Sequence, residues 1–144
     1  MINILSGIDS TSAALNAERI RMDVISQNIA NAETTRGPVG QPYQRQQVVF
    51  ESVLRAAQSA DSSNPSEAQT VQIARIEKDP RPPRMIYNPG HPDADKNGMV
   101  AVPDINISEE MVDMIASSRT FEANLAVVKN ARAMAQAALS IGKH

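Results

Sequence analysis

Proline placement divides this chain before any other feature is considered. All nine prolines lie between Pro38 and Pro103. A proline inside a helix removes a backbone donor and clashes with the preceding turn, costing about 3 kcal/mol or more. Long helices in this 144-residue chain are therefore confined to its proline-free ends, 1–35 and 108–144, around a punctuated middle of 36–107. Gly37, Gly40, Gly90 and Gly98 fall in the same middle.

Both ends carry helical periodicity. Ile8, Leu15, Met22 and Ile29 recur every seven residues, and Ile4 and Ile25 join them on one face. At about 100° per residue these six span an arc of about 100°. A second, weaker stripe of Ala13, Ala17, Ile20 and Val24 lies nearly opposite. The pattern predicts a helix over about residues 4–32 that stops near "ETTRGP", at Gly37 and Pro38. The other end predicts a longer helix over about 109–141, with Ser108 as N-cap and Glu109 and Glu110 at the positive end of its dipole. Met111, Met114, Ile115, Phe121, Leu125, Val128 and Leu139 form one stripe, with Val112, Val127, Met134 and Ile141 on the opposite side. At 1.5 Å per residue that helix is about 50 Å long.

The middle lacks a helical rhythm. "YQRQQVVF" and "TVQIARIEKD" have extended character, the second with Val71, Ile73 and Arg75 alternating against Gln72 and Ala74. "AAQSADSSNPSEAQ" between them is polar and loop-like. "RPPRMIYNPGHP" is expected as a proline-ordered turn region and "GMVAVPDINI" as a further short strand. The expected fold is mainly α with a small β-rich insertion.

Composition removes several function classes. A net charge of −2 argues against bulk electrostatic capture of nucleic acid. The absence of cysteine excludes disulfides and cysteine-ligated metals. No apolar run approaches the ~20 residues that span a bilayer, so no direct membrane insertion is expected. "MINILSGIDSTS" has no basic n-region and no sustained apolar core, so it is not expected to act as a secretory signal. With Tyr43, Phe50, Tyr87 and Phe121 as the only aromatics, helix-on-helix packing is favoured over a deep ligand pocket.

Two opposed stripes per helix are more than an antiparallel pair can bury. Each fully buried Ile, Leu, Val or Met contributes about 1.5–3 kcal/mol. With no further helix in the chain to cover the second seams, copies of the molecule are expected to supply the missing neighbours, and the helices are expected to order on assembly.

Specific residues then match a known family. "RMDVISQNIANAETTRGP", Arg21 to Pro38, resembles the N-terminal motif of the axial proteins of the bacterial flagellum, and "EEMVDMIASSRTFEAN", Glu109 to Asn124, resembles their C-terminal motif. "DPRPPRMIYNPGHPDADKNGMV", Asp79 to Val100, is similar to the narrower signature of the proximal rod proteins within that family; it includes Tyr87, Pro89, Gly90, His91, Pro92, Asp93, Asp95 and Gly98. Met99 stands where the family more often has an aromatic residue. The resemblance implies long N- and C-terminal helices packed as an antiparallel coiled coil toward the inner tube of a hollow rod, with 36–107 facing outward. It implies export through the flagellar type III apparatus without a cleaved signal peptide. It also implies assembly across the periplasm with copies of itself and with rod proteins of the FlgB, FlgF, FlgG and FliE types, and transmission of torque. No cofactor is implied.

The candidate assembly residues are Ile8, Leu15, Met22, Ile25, Asn28, Ile29 and Asn31 at the N-terminal end. At the C-terminal end they are Met111, Met114, Ile115, Arg119, Phe121, Glu122, Asn124, Leu125 and Val128. Asn28 and Asn31 suit either contacts with a neighbour or the polar end of a helix. Arg119, Glu122 and Asn124 suit either a solvated face or a surface against other subunits. Arg132 keeps heptad register with Met111, Ser118, Leu125 and Leu139, its stem suited to covering apolar surface.

Two competing classes remain. Asp93, Asp95, Asn97, Gly98 and Asp104 nearly spell a calcium loop, which gives an alternative reading of 93–104 as a calcium-binding module, although a helix on each side and a glutamate at position twelve are missing. A helical adaptor of a secretion apparatus is the other. No enzyme is expected: His91 lies beside Asp93 and Asp95 without a nucleophile motif, and His144 is the last residue.

Overall fold

The structure, a computed structural model, describes residues 4–55 and 68–141. Helix α1 runs over Ile4–Ala30 and helix α2 over Ile107–Ile141, 27 and 35 residues long. Between them lie strands β1 (Gln46–Arg55), β2 (Ala68–Lys78), β3 (Arg84–Tyr87) and β4 (Met99–Val102). They form two separate antiparallel pairs, β1–β2 and β3–β4. The chain is mainly α with a small β insertion.

Both helices match the expected spans of about 4–32 and 109–141 to within two residues, and local hydrogen bonds set where they begin and end. α1 ends at Ala30, ahead of the stop at Gly37. The Asn31 side chain bonds the Gln27 carbonyl at 2.9 Å, and the Ala32 amide turns back to Ile29 and the Thr34 amide to Asn31. These tightened bonds satisfy the terminal carbonyls and close the helix before any proline is reached. At α2 the cap is Asn106 rather than Ser108: its Oδ1 accepts from the Ser108 amide at 3.1 Å while its carbonyl accepts from Glu110.

The β1–β2 hairpin carries a device that the sequence pattern hides. Val49 faces Arg75 but Phe50 faces Ile73, so Ala74 is an extra residue in β2. Opposed residues share a face of the ladder, and a one-residue slip moves a strand's side chains to the other face. The bulge therefore keeps Ile76, Ile73 and Val71 on one side, opposite Val48, Phe50 and Ser52. Arg75, expected on that face from strict alternation, is replaced there by Ile76. The second correction is β3: Arg84–Tyr87, expected as part of a turn region, pairs along its length with β4. The polar stretch 56–67 lies outside the described residues.

α1 packs on α2, β1 and β2, whereas α1 is the only described element on which α2 packs. The most buried apolar side chains are Ala17, Val24, Ile25 and Ala32 on and just after α1, and Val100 and Ile105 near β4 and the start of α2. The last turn of α1 meets the first turn of α2, where Asn28 bonds Glu110.

Candidate assembly surface

α1 packs both of its stripes at least partly against its own chain. Ala13, Ala17 and Ile20 line a cleft with Val71 and Ile73 of β2, and Val24 and Ile25 line a second with Val48 and Phe50 of β1. Ala17 and Val24 are each only 4% exposed. The weaker stripe, expected to need a neighbouring molecule, is thus covered by the chain's own hairpin. The expectation that this stripe of α1 needs a neighbouring copy is corrected: strands, and not only helices, can cover a helix face. Ile8, Leu15, Met22 and Ile29 are half-buried and Ile25 is buried. The outer arc of α1 is polar, with Ser12, Asn16, Arg19 and Asp23 exposed.

α2 is different. Apart from Asp113 and Ser118, its less exposed residues are spaced alternately by four and three: Glu110, Met114, Ser117, Phe121, Asn124, Val128, Ala131 and Ala135. That is the spacing of a single seam against one partner helix. The predicted stripe therefore splits. Met114, Phe121 and Val128 lie in the seam, while Met111, Ile115 and Leu125 are exposed at 54%, 55% and 37%. Leu139 is also exposed. The other predicted stripe, Val112, Val127, Met134 and Ile141, is exposed throughout. Arg119 and Glu122 are exposed and Asn124 is half-buried in the seam.

At the junction of the helices with the strands, Asn28 uses every polar atom of its side chain. Its Nδ2 donates to the Gln46 carbonyl at 2.8 Å and to Glu110 Oε2 at 3.0 Å. Its Oδ1 accepts from the Tyr43 hydroxyl at 3.0 Å and from the Gln46 amide at 2.9 Å. The Glu110 side chain, 1% exposed, also accepts from Arg45 Nε at 2.7 Å. Arg45 continues at 3.8 Å to Asp79, which is held by Arg81; Arg81 also reaches Asp104, which faces Arg84. One polar chain thus ties α1, the loop before β1, the end of β2 and the start of α2. The structure gives Asn28 an intramolecular role, and Asn31 is likewise engaged locally, with Gln27 and Thr34.

Charge states follow from this wiring. The hydrogen bonds from Arg81 hold the Asp79 carboxyl below its ordinary range, and Asp79 in turn raises Arg81. Burial pushes the Tyr43 hydroxyl above its ordinary value, with the Glu110 charge adding to it. Sequence reasoning missed Arg45, Tyr43, Asp79 and Glu110 as a unit. The helix dipole accounts for a glutamate at position 110 but not for its burial, and nothing in the local sequence marks that.

The loop after β3 does not form a calcium site. Asp93 accepts from the Thr35 hydroxyl at 2.8 Å and pairs with Arg36 at 3.2 Å. Asp95 Oδ1 accepts from the Asn97 and Met99 amides. Asp104 faces Arg81 and Arg84. The three carboxylates serve three different partners, and no cluster of three potential ligands occurs among the described residues. The calcium reading of 93–104 finds no support in this arrangement: Asp93, Asp95 and Asp104 face separate groups and do not converge as the oxygens of a calcium loop must. His91 Nδ1 accepts from the Asp93 amide at 3.1 Å, within the same turn that holds Pro89, Gly90 and Pro92. Gly98 has φ +74°, and a Cβ there would lie 3.0 Å from the Tyr87 ring and 3.1 Å from Pro89 Cβ. Glycine is required both by the backbone angle and by the ring that covers it.

A family model described as "Flagella basal body rod protein" matches residues 8–38. A second, "Flagellar basal body rod FlgEFG protein C-terminal", matches 96–141. The flagellar basal-body rod protein FlgC of Borreliella burgdorferi is 41% identical, with 97% of this chain and 98% of that protein covered. The FlgC of Yersinia enterocolitica is 34% identical, covering 99% and 100%, and that of Bacillus subtilis 35%, covering 94% and 96%. With such identities sustained from end to end, the chain belongs to the FlgC family of flagellar basal-body rod proteins.

Proposed function

We propose that this rod subunit of the flagellar basal body assembles through its terminal helices, α1 and α2 packing as an antiparallel coiled coil in each copy and the faces α1 leaves open on α2 packing on neighbours. The observation that carries the proposal is the exposed apolar surface of α2, from Met111 and Ile115 to Leu125 and Leu139, on a helix that packs on one other described helix and on no described strand. Leaving such side chains in water forfeits about 1.5–3 kcal/mol each, and exposed apolar stripes of this kind mark interaction surfaces.

On this reading residues 1–35 and 108–144 form the inner layer and 36–107 the outer one. The polar chain from Asn28 to Asp104 fixes one layer to the other. The assembled shaft is hollow, crosses the periplasm, carries torque and passes export substrates. The subunit reaches it through the flagellar type III apparatus and meets other rod proteins there. Among the described residues no helix is long and apolar enough to cross a membrane.

The test is the pair of changes Ile115→Asp and Leu125→Asp in the full chain, expressed in cells lacking their own copy. The lone subunit is expected to keep its thermal stability while incorporation into purified basal bodies is lost. Normal incorporation would sink the proposal.

A further inference from the structure

Asn97 is the one asparagine of the chain that glycine follows. It is exposed, in the turn that leads into β4. The Gly98 amide donates to the Asp95 carbonyl at 3.0 Å, and the Asp95 amide donates to the Met99 carbonyl at 2.8 Å. Asp95 Oδ1 accepts from the Asn97 amide at 2.8 Å and from the Met99 amide at 2.9 Å. With Gly98 at φ +74°, the turn closes as a short hairpin loop with a bulge glycine. We propose that Asn97 is a modification site, losing its side-chain amide through a cyclic imide, and that the closed turn holds this reaction back. The proposal does not depend on the rod-subunit reading.

In the reaction the Gly98 nitrogen gives up its proton and attacks Cγ of Asn97. A new N–C bond forms, the Cγ–Nδ2 bond breaks, and the side-chain nitrogen leaves as ammonia. Water then opens the imide at either carbonyl, giving aspartate or isoaspartate at position 97. Glycine makes the step accessible here, because no Cβ shields its nitrogen. Every other asparagine precedes a residue that carries a Cβ; where that residue is proline, its nitrogen has no proton to lose.

The closed turn opposes the step twice. The proton that must leave is held on the Asp95 carbonyl, and Asp95 Oδ1 pins the backbone amides of Asn97 and Met99 on either side. Reaction therefore runs through the fraction of chains in which the turn is open. The product does not fit the turn. Isoaspartate routes the backbone through the former side chain and lengthens it by a methylene. The Asp95–Met99 closure and the Tyr87 ring over Gly98 then lose their register. The site thus marks chains that have spent time with this turn open.

Purified full-length protein, folded or in urea, is incubated at mildly alkaline pH. Peptide mass spectrometry and enzymatic labelling of isoaspartate follow each asparagine. In urea Asn97 is expected to convert before any other asparagine, and in the folded protein about tenfold more slowly or less. Absence of a preference for Asn97 in urea would overturn the site, and equal rates in the two states would overturn the protection. Asp95→Ala removes the side-chain acceptor and is expected to raise the folded-state rate by about threefold or more. Asp95→Asn keeps an acceptor oxygen and is expected to keep the rate low. If both variants speed conversion alike, or neither does, the role given to Asp95 Oδ1 is wrong. The comparison of folded with urea-treated protein needs no variant, so it decides the proposal even if Asp95→Ala does not fold.

Discussion

The two long helices look alike in sequence and are treated differently by the fold. Each carries two apolar stripes at helical spacing, yet α1 packs both against its own chain, whereas α2 packs only Met114, Phe121 and Val128 of one stripe and leaves the other exposed. Val24, in the weaker stripe of α1, is 4% exposed; Val127, in the second stripe of α2, is 54% exposed. The cover comes from strands β1 and β2, which pack on α1; among the described residues neither strand packs on α2. Two apolar stripes thus end packed against the chain in one helix and largely exposed in the other. The division of labour is decided by where the strands fall.

The junction that closes the helix pair offers the sharpest way to break this comparison. Arg45→Met leaves the buried Glu110 carboxylate without its cation. Breaking a buried pair in that way costs about 3–5 kcal/mol, and urea denaturation of the purified subunit is expected to show a loss of that size. Lys129→Met, on the open side of α2, is expected to change the same measurement by no more than about 0.5 kcal/mol. Equal effects would mean that α2's outer face is as involved in the lone fold as the junction is.

A matched pair of isoleucines tests the covers themselves. Ile25, 5% exposed on α1, is expected to lose about 2–5 kcal/mol of stability as Ile25→Ala. Ile115, 55% exposed on α2, is expected to lose within about 0.5 kcal/mol in the lone subunit as Ile115→Ala and to be impaired in assembly instead. Thermal unfolding together with incorporation into basal bodies separates the two outcomes.

Smaller effects come from pH. Asp79 has its carboxyl held below the ordinary value of 3.8, so the folded state favours the ionised form. Its stabilisation is present above about pH 4 and is lost as pH falls through the lowered folded value. Acid unfolding of Arg81→Ala should therefore begin at higher pH than that of the unmodified chain. The opposite sign applies to Tyr43, raised above 10.0 by burial. Its contribution is complete below about pH 10 and declines as pH rises through the folded value, so Tyr43→Phe is expected to flatten the alkaline limb of the stability curve. Helix content lost at either extreme should begin at the junction; loss beginning in the distal half of α2 would contradict the assignment of these groups.

Much of the architecture was legible because it rests on local rules. Nine prolines confined to 38–103 leave only the ends for long helices, and the seven-residue recurrence of Ile8, Leu15, Met22 and Ile29 marks the first of them. The terminal motifs and the "YNPGHPDAD" loop pointed to the flagellar axial proteins. Errors arose where a distant partner decided the outcome. Strict alternation in β2 pointed to Arg75, whereas the bulge at Ala74 brings Ile76 to the apolar face, and a bulge is defined only by the opposing strand. Asp93, Asp95 and Asp104 matched a calcium spacing, but spacing along the chain does not say that Thr35, Arg36, Arg81 and Arg84 claim two of those carboxylates first.

By itself, the sequence determined that two helices flank a short β-containing middle, because backbone sterics and helical periodicity act within a few residues. Only the tertiary structure decided which stripes are core and which remain surface. That choice depends on whether another element arrives to exclude water. The strands arrive at α1, Glu110 bonds Asn28 and Arg45, and among the described residues one side of α2 stays exposed.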